Sequence, residues 1–279
     1  MKKIFFSVFF VLFFATLTQA QLDTTLKSGW SPEGVIALNL SQISFTNWVQ
    51  GGDNALSFAS LGNFGLLYHG KNWDFYNNIK LAYGRSKSSA GYRTTDNEFR
   101  LNSILIRDLK WKINPYISNE VRSTLTDGYD YSNNMEVQTS AFFDPGYITQ
   151  SIGFIYAINH FSTRLGIGFQ EVFTNLFTTY SDDPATPEIE KFKFETGIES
   201  VTEANYEFMK NILYTGRLRL FSRFKSLDVW DVNWDNIITA KVNDYINVNF
   251  GFNLIYEKQA SPKTQIKEAL QVGFSYVIF

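Results

Sequence analysis

Residues 266–279 read I-K-E-A-L-Q-V-G-F-S-Y-V-I-F. Ile266, Leu270, Val272, Phe274, Tyr276 and Ile278 are apolar or aromatic, while Lys267, Gln271, Gly273 and Ser275 fill most positions between them, which is the period of two of a β-strand. An exposed aromatic strand edge is a template for aggregation, so this strand needs a partner. In a closed barrel that partner is the first strand of the chain.

Working outward, composition fits the same architecture. Of 279 residues 17% are aromatic and 19% charged, yet mean hydropathy is only -0.15, the balance that alternating apolar and polar faces produce. Cysteine is absent, so no disulfide is possible. Formal net charge is -2 and falls to -4 without Lys2 and Lys3, with 23 basic against 27 acidic residues, which excludes a nucleic-acid footprint.

Residues 1–20 begin with Lys2 and Lys3, continue with an apolar run from Ile4 to Leu17 broken by Ser7 and Thr16, and end Thr18-Gln19-Ala20. That order is a secretory signal peptide cut before Gln21. The run is too short for a spanning helix, and no later segment is long enough for one. An exported chain of this kind is soluble outside the cytoplasm or enters a membrane as strands. The organisation expected is a cleaved leader at 1–20, a periplasmic lead-in at 21–34 and one β-barrel at 35–279.

Twelve strands are predicted, near residues 35–45, 55–68, 73–83, 95–107, 111–123, 147–158, 161–173, 191–206, 211–224, 229–242, 245–256 and 266–279. Trp73, Phe75, Ile79, Leu81 and Tyr83 alternate with Asp74, Asn78 and Lys80, and Phe99, Leu101 and Leu105 alternate with Glu98, Arg100 and Asn102. Connections alternate too. Those at 69–72, 108–110, 159–160, 208–210 and 243–244 are short, whereas 47–53, 84–94, 124–146, 174–190 and 257–265 are longer and polar, with 225–228 out of line. An even strand number with short turns at one end and long loops at the other is the pattern of an all-β, transmembrane, antiparallel up-and-down barrel of the outer membrane. Trp48, Trp73, Trp111, Trp230 and Trp234 fall mostly near strand ends, where interfacial aromatic girdles belong.

The most informative polar constellation lies on three consecutive strands. Glu195, Glu199 and Glu203 share one phase of the first, Arg217, Arg219 and Arg223 one phase of the second, and Asp231 and Asp235 the same phase of the third. A hairpin centred on Met209 sets Glu199 opposite Arg219 and Glu195 opposite Arg223. Facing lipid at mid-bilayer would cost roughly 2–4 kcal/mol per Arg, so the ladder is expected to face the lumen. There it acts either as a charged constriction selecting small polar solutes or as ion pairs that fill and brace the barrel. Twelve strands lie between the filled eight-strand barrels and open porins, which favours bracing.

Catalysis is not expected. His69 and His160 both fall in short turns, away from the long loops where a Ser-His-acid group would meet substrate. Asp127, Asp130, Asp182 and Asp183 lie in long loops, but their spacing is not that of a calcium loop. No metal or cofactor is implied.

Asn39-Leu40-Ser41-Gln42-Ile43-Ser44-Phe45-Thr46-Asn47-Trp48-Val49-Gln50-Gly51-Gly52-Asp53-Asn54, followed by Trp73-Asp74-Phe75 and Asp96-Asn97-Glu98, resembles an uncharacterised family of Gram-negative secreted proteins, domain of unknown function 3078. The resemblance covers about the first third of the mature chain and is sharpest in N-W-x-x-G-G-x-N. It implies an outer-membrane barrel and supplies no site residues. The functional expectation is a narrow passive channel for small polar solutes or a structural surface protein. The alternative is a ligand-binding or lipid-active barrel using loops 124–146 and 174–190. Expected partners are outer-membrane lipid and the barrel assembly machinery, which would engage the closing strand, whose terminal Phe279 resembles an assembly signal but is one step out of phase with the apolar face.

Overall fold

The computed structural model describes residues 28–44, 54–89, 91–131, 135–183, 185–258 and 263–278. The expected leader, Trp48 with its loop, and Phe279 lie outside these residues. Among the described residues fourteen strands run β1 Gly29–Ile43, β2 Ala55–His69, β3 Trp73–Ser88, β4 Gly91–Arg107, β5 Ile113–Ser123, β6 Gly128–Asp130, β7 Val137–Ser140, β8 Gly146–Ile158, β9 Phe161–Phe173, β10 Phe192–Met209, β11 Ile212–Arg223, β12 Trp230–Lys241, β13 Ile246–Tyr256 and β14 Gln265–Val277. Twelve of them close a barrel in the order β1-β14-β13-β12-β11-β10-β9-β8-β5-β4-β3-β2, every pair antiparallel, and β6 and β7 form a separate hairpin within a long loop.

The alternation that predicts the strands also decides their faces. Ile36, Leu38 and Leu40 on β1, Ile152 and Phe154 on β8, Leu165 and Ile167 on β9, and Leu270, Val272 and Phe274 on β14 point outward and are exposed. Asn39, Glu120, Ser151, Arg164, Gln170, Glu199 and Arg219 point inward and are buried. Such an apolar exterior around a polar interior is the inverse of a water-soluble fold and belongs in a bilayer. Its height fits: from Trp30 to Leu40 the ten steps along β1, at about 3.3 Å each and tilted about 40°, rise about 25 Å, the thickness of such a band. At the foot of the band Trp30 packs against Tyr68 and Phe75, with ring centroids 5.0 and 6.2 Å apart, an aromatic cluster at the short-turn end.

Short turns keep their strands close with residues that accept a left-handed backbone. Asn211, at φ 69°, closes β10–β11, and Asn159, at φ 41°, closes β8–β9; asparagine tolerates this region better than most residues. The closing strand pairs with β1 as expected, from Val35 opposite Val277 to Leu40 opposite Val272.

Two boundaries differ from expectation. The strand β1 begins at Gly29, so residues 29–34, expected as periplasmic lead-in, belong to the barrel wall. Residues 84–94, expected as a loop, are mostly strand: β3 and β4 continue past a bulge at Gly84/Arg85 to a tight connection at Ser88 and Gly91. Serine and glycine made this segment look like loop. Cross-strand stacking of Arg85 and Lys87 on Tyr92, at 5.1 and 5.2 Å from the ring centroid, extends the ladder instead, and Gly91 supplies φ 102° at the turn.

Candidate functional site

Glu195, Glu199, Glu203, Arg217, Arg219, Arg223, Asp231 and Asp235 share the inward phase of β10, β11 and β12, whereas Glu207 and Lys241 are exposed at the short-turn end. Burial follows the depth of each. Arg219 is 2% exposed, while Glu195, Glu199, Arg223 and Asp231 are also buried and Glu203, Arg217 and Asp235 are partly so.

Their register needs a correction. Arg219 stands opposite Val201, Arg223 opposite Gly197 and Arg217 opposite Glu203, so the pairing is shifted by two residues from one centred on Met209. An irregularity between Glu207 and Met209 and a turn at Lys210 and Asn211 account for the shift. A two-residue slip keeps every side chain on its face. Diagonal ion pairs result, with Arg219 Nε 2.8 Å from Glu199 Oε1 and Arg223 Nε 2.8 Å from Glu195 Oε1. Arg223 Nη2 also donates to Asp231 Oδ2 at 2.7 Å, and Arg217 Nε to Glu203 Oε1 at 3.2 Å. Arg219 Nη2 adds a bond to Gln170 Oε1 at 3.1 Å, and both its guanidinium and that of Arg223 flank the buried ring of Phe221.

The network extends to the far wall through residues outside the expected ladder. Arg217 is ion-paired with Glu120 on β5, and Arg100 on β4 bridges Glu98 at 2.8 Å and Asp235 at 3.1 Å. Arg122 on β5 lies 3.5 Å from Glu257, which follows β13. In the ring of strands β4 and β12 face each other with five strands on either side, and so do β5 and β13. Arg100–Asp235 and Arg122–Glu257 therefore cross the lumen between opposite walls. Glu98, Arg100, Glu120 and Arg122 share the inward phase of their strands, the one sign of their role available in the sequence.

Two charges removed from water are costly to bury and recover that cost only when well paired, so losing one partner of such a pair costs about 3–5 kcal/mol. The belt is thus a structural commitment. Burial alone would raise the Glu257 carboxyl, but Arg122 and a 3.0 Å bond from Asn233 outweigh it and hold the group below the usual carboxylate range. Within the belt, Tyr147, Gln170, Val172, Tyr180, Arg223, Asp231 and Glu257 line a cavity of about 20 Å³, which has room for about one water molecule.

The other candidates lie apart. His69 ends β2 beside Asp74, Nδ1 to Oδ1 2.5 Å, and His160 packs edge-on against Tyr206 in the β8–β9 turn. Asp182 accepts the Glu190 N–H, and Asp183 accepts the Ala185 N–H, so both carboxylates shape the loop that holds them. Among the described residues no group of three or more His, Cys, Asp or Glu is placed to hold a metal ion. Trp73 and Trp111 are exposed at the short-turn end and Trp230 at the loop end, whereas Trp234 sits within β12 against Phe252.

The first third of the described wall, from the end of β1 through β4 and β5, carries the recognisable segment. Residues 40–129 match the family model described as "Protein of unknown function (DUF3078)". The match stops short of the strands β10, β11 and β12 that bear the expected ladder, but it includes Glu98, Arg100, Glu120 and Arg122. No curated protein matches the sequence. Among solved structures, an outer membrane channel from Pseudomonas putida F1 is similar at 11% identity and TM-score 0.42, covering 90% of this chain and 96% of that one. The translocator domain of autotransporter NalP from Neisseria meningitidis is similar at 9% identity and TM-score 0.36, covering 91% and 90%. Neither likeness bears on what this chain does.

Proposed function

We propose that the protein is an outer-membrane barrel whose lumen is sealed by its own charged belt, a structural surface protein rather than an open pore. Cross-lumen pairing of Arg100 with Asp235 is the observation that carries this reading, because a channel for polar solutes needs the space these side chains occupy. Outer-membrane lipid is the solvent of the apolar band. Residues 1–20 act in this reading as an export leader, and the strand β14 is the element offered to the assembly machinery. The expected ladder of Glu195, Glu199, Glu203, Arg217, Arg219, Arg223, Asp231 and Asp235 braces the wall, and no catalysis is assigned.

Liposome swelling tests the seal. Proteoliposomes of the purified barrel in a small sugar should swell no faster than empty liposomes. Rapid swelling with the smallest sugars, falling off with solute size, would instead establish a narrow passive channel for small polar solutes.

A further inference from the structure

The outer wall carries a basic site where its apolar band ends on the loop side. Gln42 on β1, Leu56 on β2, Lys87 on β3 and Tyr92 on β4 are successive cross-strand neighbours and form one row around the barrel. The next row toward the short turns is Leu40, Phe58, Arg85 and Thr94. Leu40 is the last apolar residue of the outward band on β1, so Lys87 stands one row above the hydrocarbon and Arg85 at its rim, the depth of lipid headgroups.

Both cations are fixed rather than splayed. The guanidinium of Arg85 and the ammonium of Lys87 lie 5.1 and 5.2 Å from the Tyr92 ring centroid. Among the described residues neither forms an ion pair, although most cations of the lumen do. Beside them a cavity of about 340 Å³ is lined by Gln42, Ser44, Asn54, Leu56 and Lys87. Two organised positive charges, amide and hydroxyl groups, and an apolar floor at Leu56 complement an anionic headgroup whose acyl chains continue down the wall.

We propose that this row binds the phosphorylated sugar headgroup of an outer-leaflet lipid, with Arg85 and Lys87 taking the phosphate and the apolar wall below taking the chains. The site rests on the outer-membrane placement proposed above.

Native mass spectrometry of the full barrel, released from detergent containing bisphosphorylated lipid A, tests it. One lipid should remain bound to the wild type, and Arg85→Gln with Lys87→Gln should lower retention roughly tenfold or more, since two charge-assisted bonds are lost. Arg85→Lys with Lys87→Arg should restore it, and Lys71→Gln, in the opposite turn, should leave it unchanged. Dephosphorylated lipid A should be retained poorly. Inorganic phosphate should not compete at concentrations where lipid A saturates, which separates a lipid site from a simple anion site. Equal retention by the glutamine double variant, still heat-modifiable as a folded barrel, or equal retention of dephosphorylated lipid, would overturn the proposal. Fractionation of the native protein away from the outer membrane, with the phosphate-dependent retention intact, would overturn the placement and leave the chemistry of the site standing.

Discussion

Two sectors of the lumen are held in opposite ways. From β4 and β5 round to β12 the interior is charged, and its ion pairs reach across to other walls, as in Arg217–Glu120 and Arg100–Asp235. Where β1 pairs with β14, from Val35 opposite Val277 to Leu40 opposite Val272, the interior is neutral, and the ion pair of Lys267 with Asp96 on β4 lies beyond that stretch. Asn39 donates to Gln271 at 3.0 Å and Asn247 to Ser275 at 2.9 Å, both on β14, while Asn249 donates to Asn247 within β13 at 2.6 Å and to Asn39 on β1 at 3.3 Å, so the amides knit β1, β14 and β13 together and reach no opposite wall. Gly273 opposite them has no room for a side chain, because a Cβ would lie 2.2 Å from Asn247 Oδ1 and 2.6 Å from Asn39 Oδ1. The difference separates two arrangements: neutral amides at close quarters join the strands that close the barrel, while long charged side chains tie distant walls together.

That division can be broken in stages. The largest effect is expected from Arg219→Ala, which strands the buried Glu199 carboxylate and should cost about 3–5 kcal/mol in urea unfolding followed by heat-modifiability on gels. Removing both charges with Arg219→Leu and Glu199→Leu should recover most of that loss, and no recovery would mean that packing rather than pairing dominates the belt. Gly273→Ala should cost about 1–3 kcal/mol through overpacking against the seam amides, with hydrogen exchange rising first in β1 and β14. Asn39→Ala removes one neutral partner and should cost about 1 kcal/mol, far below the arginine variant in the same unfolding series.

The smallest effect is local to the loop between β9 and β10. Hydrogen bonds from the Asp183 N–H and the Thr186 hydroxyl lower the Glu190 carboxyl to about 2. A carboxylate depressed on folding contributes order fully above its unfolded value and loses it as pH falls through the folded one. Pepsin cleavage near Leu176 and Phe177, measured relative to an unstructured peptide, should therefore rise progressively as pH falls from about 4.5 to about 2, whereas Glu190→Gln should remove that rise.

Face and strand number were legible because alternation is local. Residues such as Phe192, Phe194 and Ile198 against Glu195, Glu199 and Glu203 assign outward and inward phases with no knowledge of the neighbours. Register was less legible, since a slip of two residues preserves both faces, and the irregularity at Glu207/Met209 that set it has no sign in the alternation. Cross-lumen partners were out of reach. Whether Arg100 meets Asp235 depends on which strands stand opposite once the ring closes, a property of strand order and stagger rather than of either strand. The segment from Gly84 to Thr94 was misread because serine and glycine signal loops, while the stacking on Tyr92 that holds it as strand lies across the hairpin.

If cross-lumen ion pairs close the bore, planar-bilayer recording will show it. Wild-type barrel should give no sustained current, and Arg100→Ala combined with Arg122→Ala, which removes both links between opposite walls, should give stepwise openings. A steady wild-type conductance that the double variant leaves unchanged would contradict it.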